Sequence, residues 1–277
     1  MAMFFSQSLH EGVVCMSLRT PTLPPATTTN TLLIGHTKLA VIEPATPYEH
    51  EQHKLTEMLA QLINQGAQLV AILITHHHHD HIGYADQLRK TFNAPLLAHA
   101  ETAARVAFPI DRELHDQEII HLDGKFSLKT LFTPGHAPGH LAFLEQSTGI
   151  AYVGDLVAGT GTIIIDPEDG GDMSAYLRSL QQLLELKPRQ LVPAHGPMIH
   201  DPPTYLRTYI NHRLLRESKV LAALASSPLQ FDALLKTVYA DTPTASWPLA
   251  ARSLEAHVQK LEHEGRVTRI DSWIQLS

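Results

Sequence analysis

The sequence predicts an α+β fold, a sheet covered by helices, with a small unit appended to one large domain. Three observations carry that expectation. Strand-like and helix-like stretches alternate along residues 1–200 without repeats or low-complexity tracts, the pattern of a layered domain. The run LVAILIT, residues 69–75, is almost wholly apolar and rich in β-branched residues, as a strand buried on both faces should be. With 277 residues, 44% of them hydrophobic, the chain can bury one large core and a small appended one.

In chain order, LRTPTLPPATTTNTLLIG (18–35) and KLAVIEPATP (38–47) read as two short strands, the second stopped at Glu43-Pro44 because proline disfavours continuation. Leu55, Leu59, Leu62 and Ile63 recur at helical spacing, and Gly66 supplies the stop. LVAILIT follows. Further strands are expected at PLLAHA (95–100), FSLKTLF (126–132), LAFLEQ (141–146), IAYVGD (150–155) and QLVPAH (190–195). Helices are expected near 84–92, 173–186 and 204–224.

Composition limits the function classes. The single cysteine, Cys15, excludes an intramolecular disulfide and a thiolate-rich metal cluster. The opening MAMFFSQSLHEGVV lacks a basic start followed by a long apolar stretch, and no run nears the roughly 18 apolar residues of a membrane span. A cytoplasmic protein with no membrane partner is the expectation. Net charge is −7, and residues 201–277 hold 9 Lys and Arg against 8 Asp and Glu, leaving 12 against 20 before them. No large basic footprint for nucleic acid shows in those totals.

The chemistry gathers at ITHHHHDHIG (74–83), where LVAILIT ends. A strand-end loop is held by rigid scaffold yet open to substrate. A histidine run can be a solvated tract, but the spacing points elsewhere. His76 and His78, one residue apart, can point the same way with His77 turned aside, and Asp80 and His81 follow in a turn. Imidazole nitrogen with carboxylate oxygen suits zinc. His136 in TPGHAPGH, Asp155 in YVGD and His195 in LVPAHG each follow an expected strand. Taken singly, each reads more readily as a satisfied structural group; together they point to a metal site.

With those stretches, the sequence resembles the metallo-β-lactamase superfamily of hydrolases: THHHHDHIG fits H-x-H-x-D-H, and TPGH, GD and PAHG follow in the family's order. The resemblance covers most of residues 30–200. It implies an αββα sandwich whose strand-end loops hold two metals, with His76, His78 and His136 at the first, Asp80, His81 and His195 at the second, and Asp155 bridging. His77, His79 and His140 match no ligand position. Glu43 stands where the family commonly has an Asp-x-Gly-like turn, a departure that questions its role behind the ligands. Two zinc ions about 3.5–4 Å apart can ionise a shared water near neutral pH, so a metal-bound hydroxide would be the nucleophile. Asp80 and Asp155 would orient it and affect rate. The donors also accept manganese or iron.

GTGT (159–162), GGDMSAYLRSL (170–180), PAHGPMI and NHRLLRE (211–217) resemble the lactamase-β-like endoribonuclease subgroup, which ends in a small winged-helix-like domain. The implied division is a catalytic domain at 1–200, then a linking helix and winged-helix-like domain at 201–277. FDALLKTVYA and LAARSLEAHVQKLEHEG fit its helices and RVTRIDSWIQL its two-stranded wing, with Leu254, Val258 and Leu261 as a core stripe. Glu255, Glu262 and Glu264 argue against DNA binding there; shaping the substrate entrance or a homodimer contact is the expected role. Thr160, Tyr176 and Arg213 are the candidate substrate contacts, beside Arg216 and Ser179, for which solvation, packing or capping are the plainer readings. Three functions stay open at this point: a dinuclear zinc hydrolase of small-molecule esters, thioesters or lactams; a single-strand endoribonuclease; and a mononuclear iron dioxygenase.

Overall fold

The computed structural model describes residues 5–124 and 126–277; the opening MAMF, part of the stretch read for a leader, lies outside the described residues. The first sheet has seven strands in sequence order. Strands β1 (Phe5–His10), β2 (Val13–Arg19), β3 (Thr28–Ile34) and β4 (Lys38–Ile42) form an antiparallel meander. Helix α1 (Glu49–Asn64) crosses over to β5 (Gln68–Leu73), making β4–β5 parallel. Helices α2 (His79–Ile82) and α3 (Ala85–Phe92) lead to β6 (Leu96–Ala98), and α4 (Ala100–Ala103) to β7 (Arg112–Glu113).

The second sheet holds β8 (Ile119–His121), β9 (Ser127–Phe132), β10 (Leu141–Glu145) and β11 (Ile150–Gly154), joined antiparallel. Helix α5 (Met173–Leu186) then crosses to β12 (Gln190–Pro193), parallel to β11. The sheets pack face to face over Val13, Leu32, Ile42, Leu73, Leu128, Phe143, Tyr152 and Val192. The first sheet's other face meets α1 and α3 through Leu55, Leu59 and Leu88, and the second sheet's meets α5 through Met173, Tyr176 and Leu180. The layers therefore run helix, sheet, sheet, helix, because each sheet is apolar on both faces.

Helix α6 (Pro202–Leu224) leads to β13 (Leu229–Gln230), α7 (Phe231–Val238), α8 (Trp247–His263), β14 (Val267–Ile270) and β15 (Trp273–Leu276). The three strands pair in the order β13, β15, β14, and Leu234, Leu254, Val258, Leu261 and Ile274 form a separate core with Val220 of α6. This is a winged-helix arrangement, with the expected stripe of α8 inside it.

Most expected elements sit within a few residues of their places. The hairpin β1–β2 and the short β7, β8 and β13 were not expected, because two or three residues carry no periodicity and SQSLHEGVV mixes polar with apolar. Strand β5 ends two residues before LVAILIT does. The N–H of Thr75 turns to the Glu43 carboxylate (2.6 Å) and its carbonyl accepts from Leu141 of the other sheet (3.0 Å), so the chain leaves the ladder to tie the sheets together.

Candidate metal centre

Every expected ligand lies just past the C-terminal end of a strand, on one edge of the sandwich. His76 and His78 follow β5, Asp80 and His81 start α2, His136 follows β9, Asp155 follows β11 and His195 follows β12. The structure brings all seven together. His78 Nδ1 lies 2.9 Å from His76 Nε2 and 3.0 Å from His136 Nε2. Opposite, Asp80 carboxylate oxygens lie 3.7 Å from His81 Nε2 and 3.4 Å from His195 Nε2. Asp155 stands between the sets, with Oδ2 3.4 Å from His136 Nε2 and 3.6 Å from His81 Nε2, and Oδ1 3.4 Å from His195 Nε2.

Behind each ring stands an acceptor that fixes which nitrogen faces inward. His136 Nδ1–H donates to the Ile164 carbonyl (2.8 Å) and His195 Nδ1–H to the Thr28 carbonyl (3.0 Å). The His76 Nδ1 meets Thr75 Oγ1 (2.8 Å). Asp169 accepts from His78 Nε2 (2.5 Å), which is why His78 alone offers its Nδ1. The His81 Nδ1–H donates to Glu43. Carboxylate and carbonyl partners of this kind orient metal-ligating imidazoles and raise their basicity.

Glu43 thus reaches the site despite its length. It is fully buried, and its left-handed backbone (φ 56°) turns the carboxylate back under the loop, where it also accepts from the Thr75 N–H and hydroxyl. Of the histidines matching no ligand position, His79 is exposed and His77 leans toward Asp169 (3.4 Å). His140 is buried, and its Nε2 accepts the Asp155 N–H (3.1 Å) while Nδ1–H donates to Thr133 Oγ1 (2.8 Å). The sequence reading missed Asp169, which lies in a short turn of a loop without periodicity, and His140's grip on Asp155. The spacing of TPGHAPGH was the available signal for His140.

Electrostatics favour cations here. Burial, partly offset by Asp155, pushes His136 down to about 4, and burial with His81 nearby pushes His76 well down, so both rings stay neutral as ligands must be. Burial alone would raise Asp155, but His195 and His81 outweigh it and hold the carboxyl well below its usual range. The same contest, won by His81 and His195, keeps Asp80 ionised. Burial would lower His81, yet Glu43, Asp155 and Asp80 push it well above its ordinary value, a measure of the positive charge these carboxylates require. Among the described residues, His81 Nε2 and Asp155 Oδ1 are buried without a hydrogen-bond partner, which is costly unless an ion satisfies them. Donors about 2.1 Å from one cation stand about 3.0–3.4 Å apart in octahedral or tetrahedral arrangement. The separations among His76, His78, His136, His195 and the two carboxylates, 2.9–3.4 Å, fall in or beside that range, and the two at His81 Nε2, 3.6 and 3.7 Å, are slightly wider, so the residues fit divalent cation binding.

The candidate substrate contacts fall differently. Thr160 is partly exposed, with its N–H on the His195 carbonyl (3.2 Å). Tyr176 is fully buried, its hydroxyl donating to the Leu156 carbonyl (2.8 Å). Arg213 is 4% exposed and its guanidinium donates to the Ile163 carbonyl (2.5 Å) over the Tyr176 ring. The polar groups of these two side chains bond the protein's own backbone. Thr22, whose hydroxyl lies 3.4 Å from His195 Nε2, borders the site instead.

This sandwich with its strand-end cluster is that of a known class. Residues 24–195 match the metallo-β-lactamase superfamily and residues 231–273 the β-lactamase-associated winged helix domain. The chain belongs to the metallo-β-lactamase superfamily and is an enzyme of its hydrolase kind. It is similar to a β-lactamase-like protein 2 homolog of Drosophila melanogaster, 31% identical over 255 residues that cover 86% of this chain and 84% of that one. An atrochrysone carboxyl ACP thioesterase of Claviceps purpurea is 28% identical over 196 residues, 71% of this chain and 60% of the thioesterase. A crystal structure of a metallo-β-lactamase family protein from Thermus thermophilus shares the fold, with TM-score 0.78 at 24% identity, covering 98% of this chain and 100% of that one. No helix among the described residues is long and apolar enough to cross a membrane.

Proposed function

We propose that this chain is a dinuclear zinc hydrolase that cleaves the acyl bond of a small-molecule ester, thioester or lactam. One observation carries the reading: the Asp155 carboxylate faces both nitrogen sets, Oδ2 toward His136 of one and His81 of the other, and Oδ1 toward His195. His76, His78 and His136 would hold one cation, Asp80, His81 and His195 the other, and Asp155 both. Such a pair supplies Lewis acidity, lowering the pKa of water from 15.7 toward about 7 and polarising the scissile carbonyl. The residues do the rest. Asp80 and Asp155 are held ionised and present acceptor oxygens that orient an attacking water. His140 fixes Asp155 from behind, and Glu43 and Asp169 fix the rings of His81 and His78. No serine or cysteine nucleophile is needed.

The thioester branch draws support from the name of the Claviceps relative. Against a nucleic-acid substrate stands the balance of charge on the winged helix. Arg269 is paired with Glu255 (2.6 Å) and Glu262 (3.1 Å), and Lys260 with Glu217 (2.5 Å) and Glu264 (2.7 Å), so these cations are already neutralised. The reading assigns catalysis to residues 1–200, gives residues 201–277 a supporting role and places the protein in the cytoplasm, consistent with its one buried cysteine. Its test combines elemental analysis with assays on thioesters, β-lactams and labelled single-stranded RNA. Two zinc ions per chain, with acyl hydrolysis lost in Asp155→Ala, is the expected result. RNA cleavage lost in that variant, or a single iron per chain, overturns it.

A further inference from the structure

We propose that Arg213 and Arg252, which come from the C-terminal helices, are positioning residues for one cation position only, the one ringed by His76, His78 and His136. The winged-helix end of the chain thereby sets the affinity of half the metal centre. This inference rests on the dinuclear reading above.

Two of those three imidazoles take their outer acceptors from a single short segment, residues 163–169. His136 donates to the Ile164 carbonyl and His78 to the Asp169 carboxylate. The other set relies on Glu43, directly after β4, and on the Thr28 carbonyl of β3. The segment therefore serves one position and not the other. It belongs to neither sheet: it has no strand pairing and ends in the three-residue turn Pro167–Asp169.

Two arginines from outside residues 1–200 hold it. Arg213 of α6, buried against the Tyr176 ring, donates to the Ile163 carbonyl, one residue before the carbonyl that holds His136. Arg252 of α8 bonds the Asp166 carboxylate (2.7 Å), whose other oxygen caps the turn at the Glu168 N–H (3.1 Å), and that turn ends on Asp169. Around this ion pair the junction is a cleft between Pro167 and Glu168 on one side and Phe231 and Arg269 on the other. The buried, charge-assisted Arg213 bond is the stronger hold. Arg252, whose side chain is 55% exposed, is the weaker.

The experiment is a titration of the metal-stripped full chain with zinc against a chromophoric chelator, giving two stepwise dissociation constants. His136→Ala and His195→Ala assign each constant to its position. Arg213→Met, which keeps volume but loses the donor, is expected to weaken the His136 constant 10–100-fold and leave the His195 constant unchanged. Asp169→Asn, acting on His78 directly, should reproduce that selectivity. Arg252→Ala should weaken the same constant about threefold, and Arg252→Lys should restore it. Arg266→Ala, which touches Glu217 and Glu264 away from the segment, should change neither. If Arg213→Met does not fold, the exposed Arg252 pair of variants decides. Equal weakening of both constants, or of neither, overturns the proposal while the dinuclear reading stands; a wild-type chain that binds fewer than two ions overturns both.

Discussion

Replacing Glu43 by glutamine changes one atom in the interior and should disable half the centre. In the native chain Oε1 accepts the Thr75 N–H and Oε2 accepts from the Thr75 hydroxyl and from His81 Nδ1. Glutamine keeps one acceptor. Its NH2 group then faces His81 Nδ1–H, donor against donor, and the ring relieves the clash by moving its proton to Nε2. That nitrogen is the one aimed at Asp80 and Asp155, so the lone pair offered to a cation is lost. Outer-partner losses of this kind weaken metal binding about 10–100-fold, roughly 1.4–2.7 kcal/mol. Without metal the change also breaks a fully buried pair, which costs about 3–5 kcal/mol. At roughly 2–4 °C per kcal/mol for a chain of this size, the metal-free melting temperature should fall by about 6–20 °C. Chelator-competition titration and calorimetry in EDTA read the two effects. The reasoning is refuted if Glu43→Gln binds both ions with wild-type constants and melts with the wild type.

Three further outcomes are expected. Asp155→Asn should weaken both zinc constants, because the carboxylate lies between the two ligand sets and faces both, and should lower kcat for the best acyl substrate at least 100-fold. Gly135→Ala should destabilise the chain by about 3 kcal/mol or more in urea unfolding, because a β-carbon at φ 131° would lie 2.2 Å from the Tyr176 backbone nitrogen and force the His136 loop off α5. Asp123 ties the β3–β4 turn by accepting from the Thr37 and Lys38 N–H groups, and burial that would raise its carboxyl is outweighed by these bonds, which hold it down to about 2 from 3.8. A depressed carboxyl stabilises above its unfolded value and loses that contribution as pH falls through the folded one. The stability gap between wild type and Asp123→Ala, about 1 kcal/mol after allowing for solvent screening, should therefore be full at pH 5 and vanish toward pH 2.

Much of the centre was legible in the sequence because it is built locally at strand ends. His76, His78, Asp80 and His81 lie within six residues, so their spacing along the chain nearly dictates their spacing in space. His136, Asp155 and His195 each follow an apolar run that reads as a strand, and β9, β11 and β12 run in the same direction, so their C-terminal ends reach a common edge. The core stripe Leu254, Val258, Leu261 was legible for a similar reason, since helical periodicity records which face is buried.

The supporting groups were not legible, and the reason is distance along the chain. Glu43 reaches His81 only because its backbone takes a left-handed turn that glutamate seldom adopts, which no pattern of residue types announces. Asp169 sits in an aperiodic loop, and its meeting with His78 spans 91 residues. Arg213 lies on α6 in the polar-looking stretch NHRLLRE and was expected at a surface; burial against Tyr176 and the Ile163 carbonyl exists only once α5, α6 and the 163–169 segment pack together. Local spacing and periodicity marked the candidate ligands and the layers. Long-range packing decided what stands behind each ligand, because a hydrogen-bond partner is chosen by proximity in space, which sequence order does not encode.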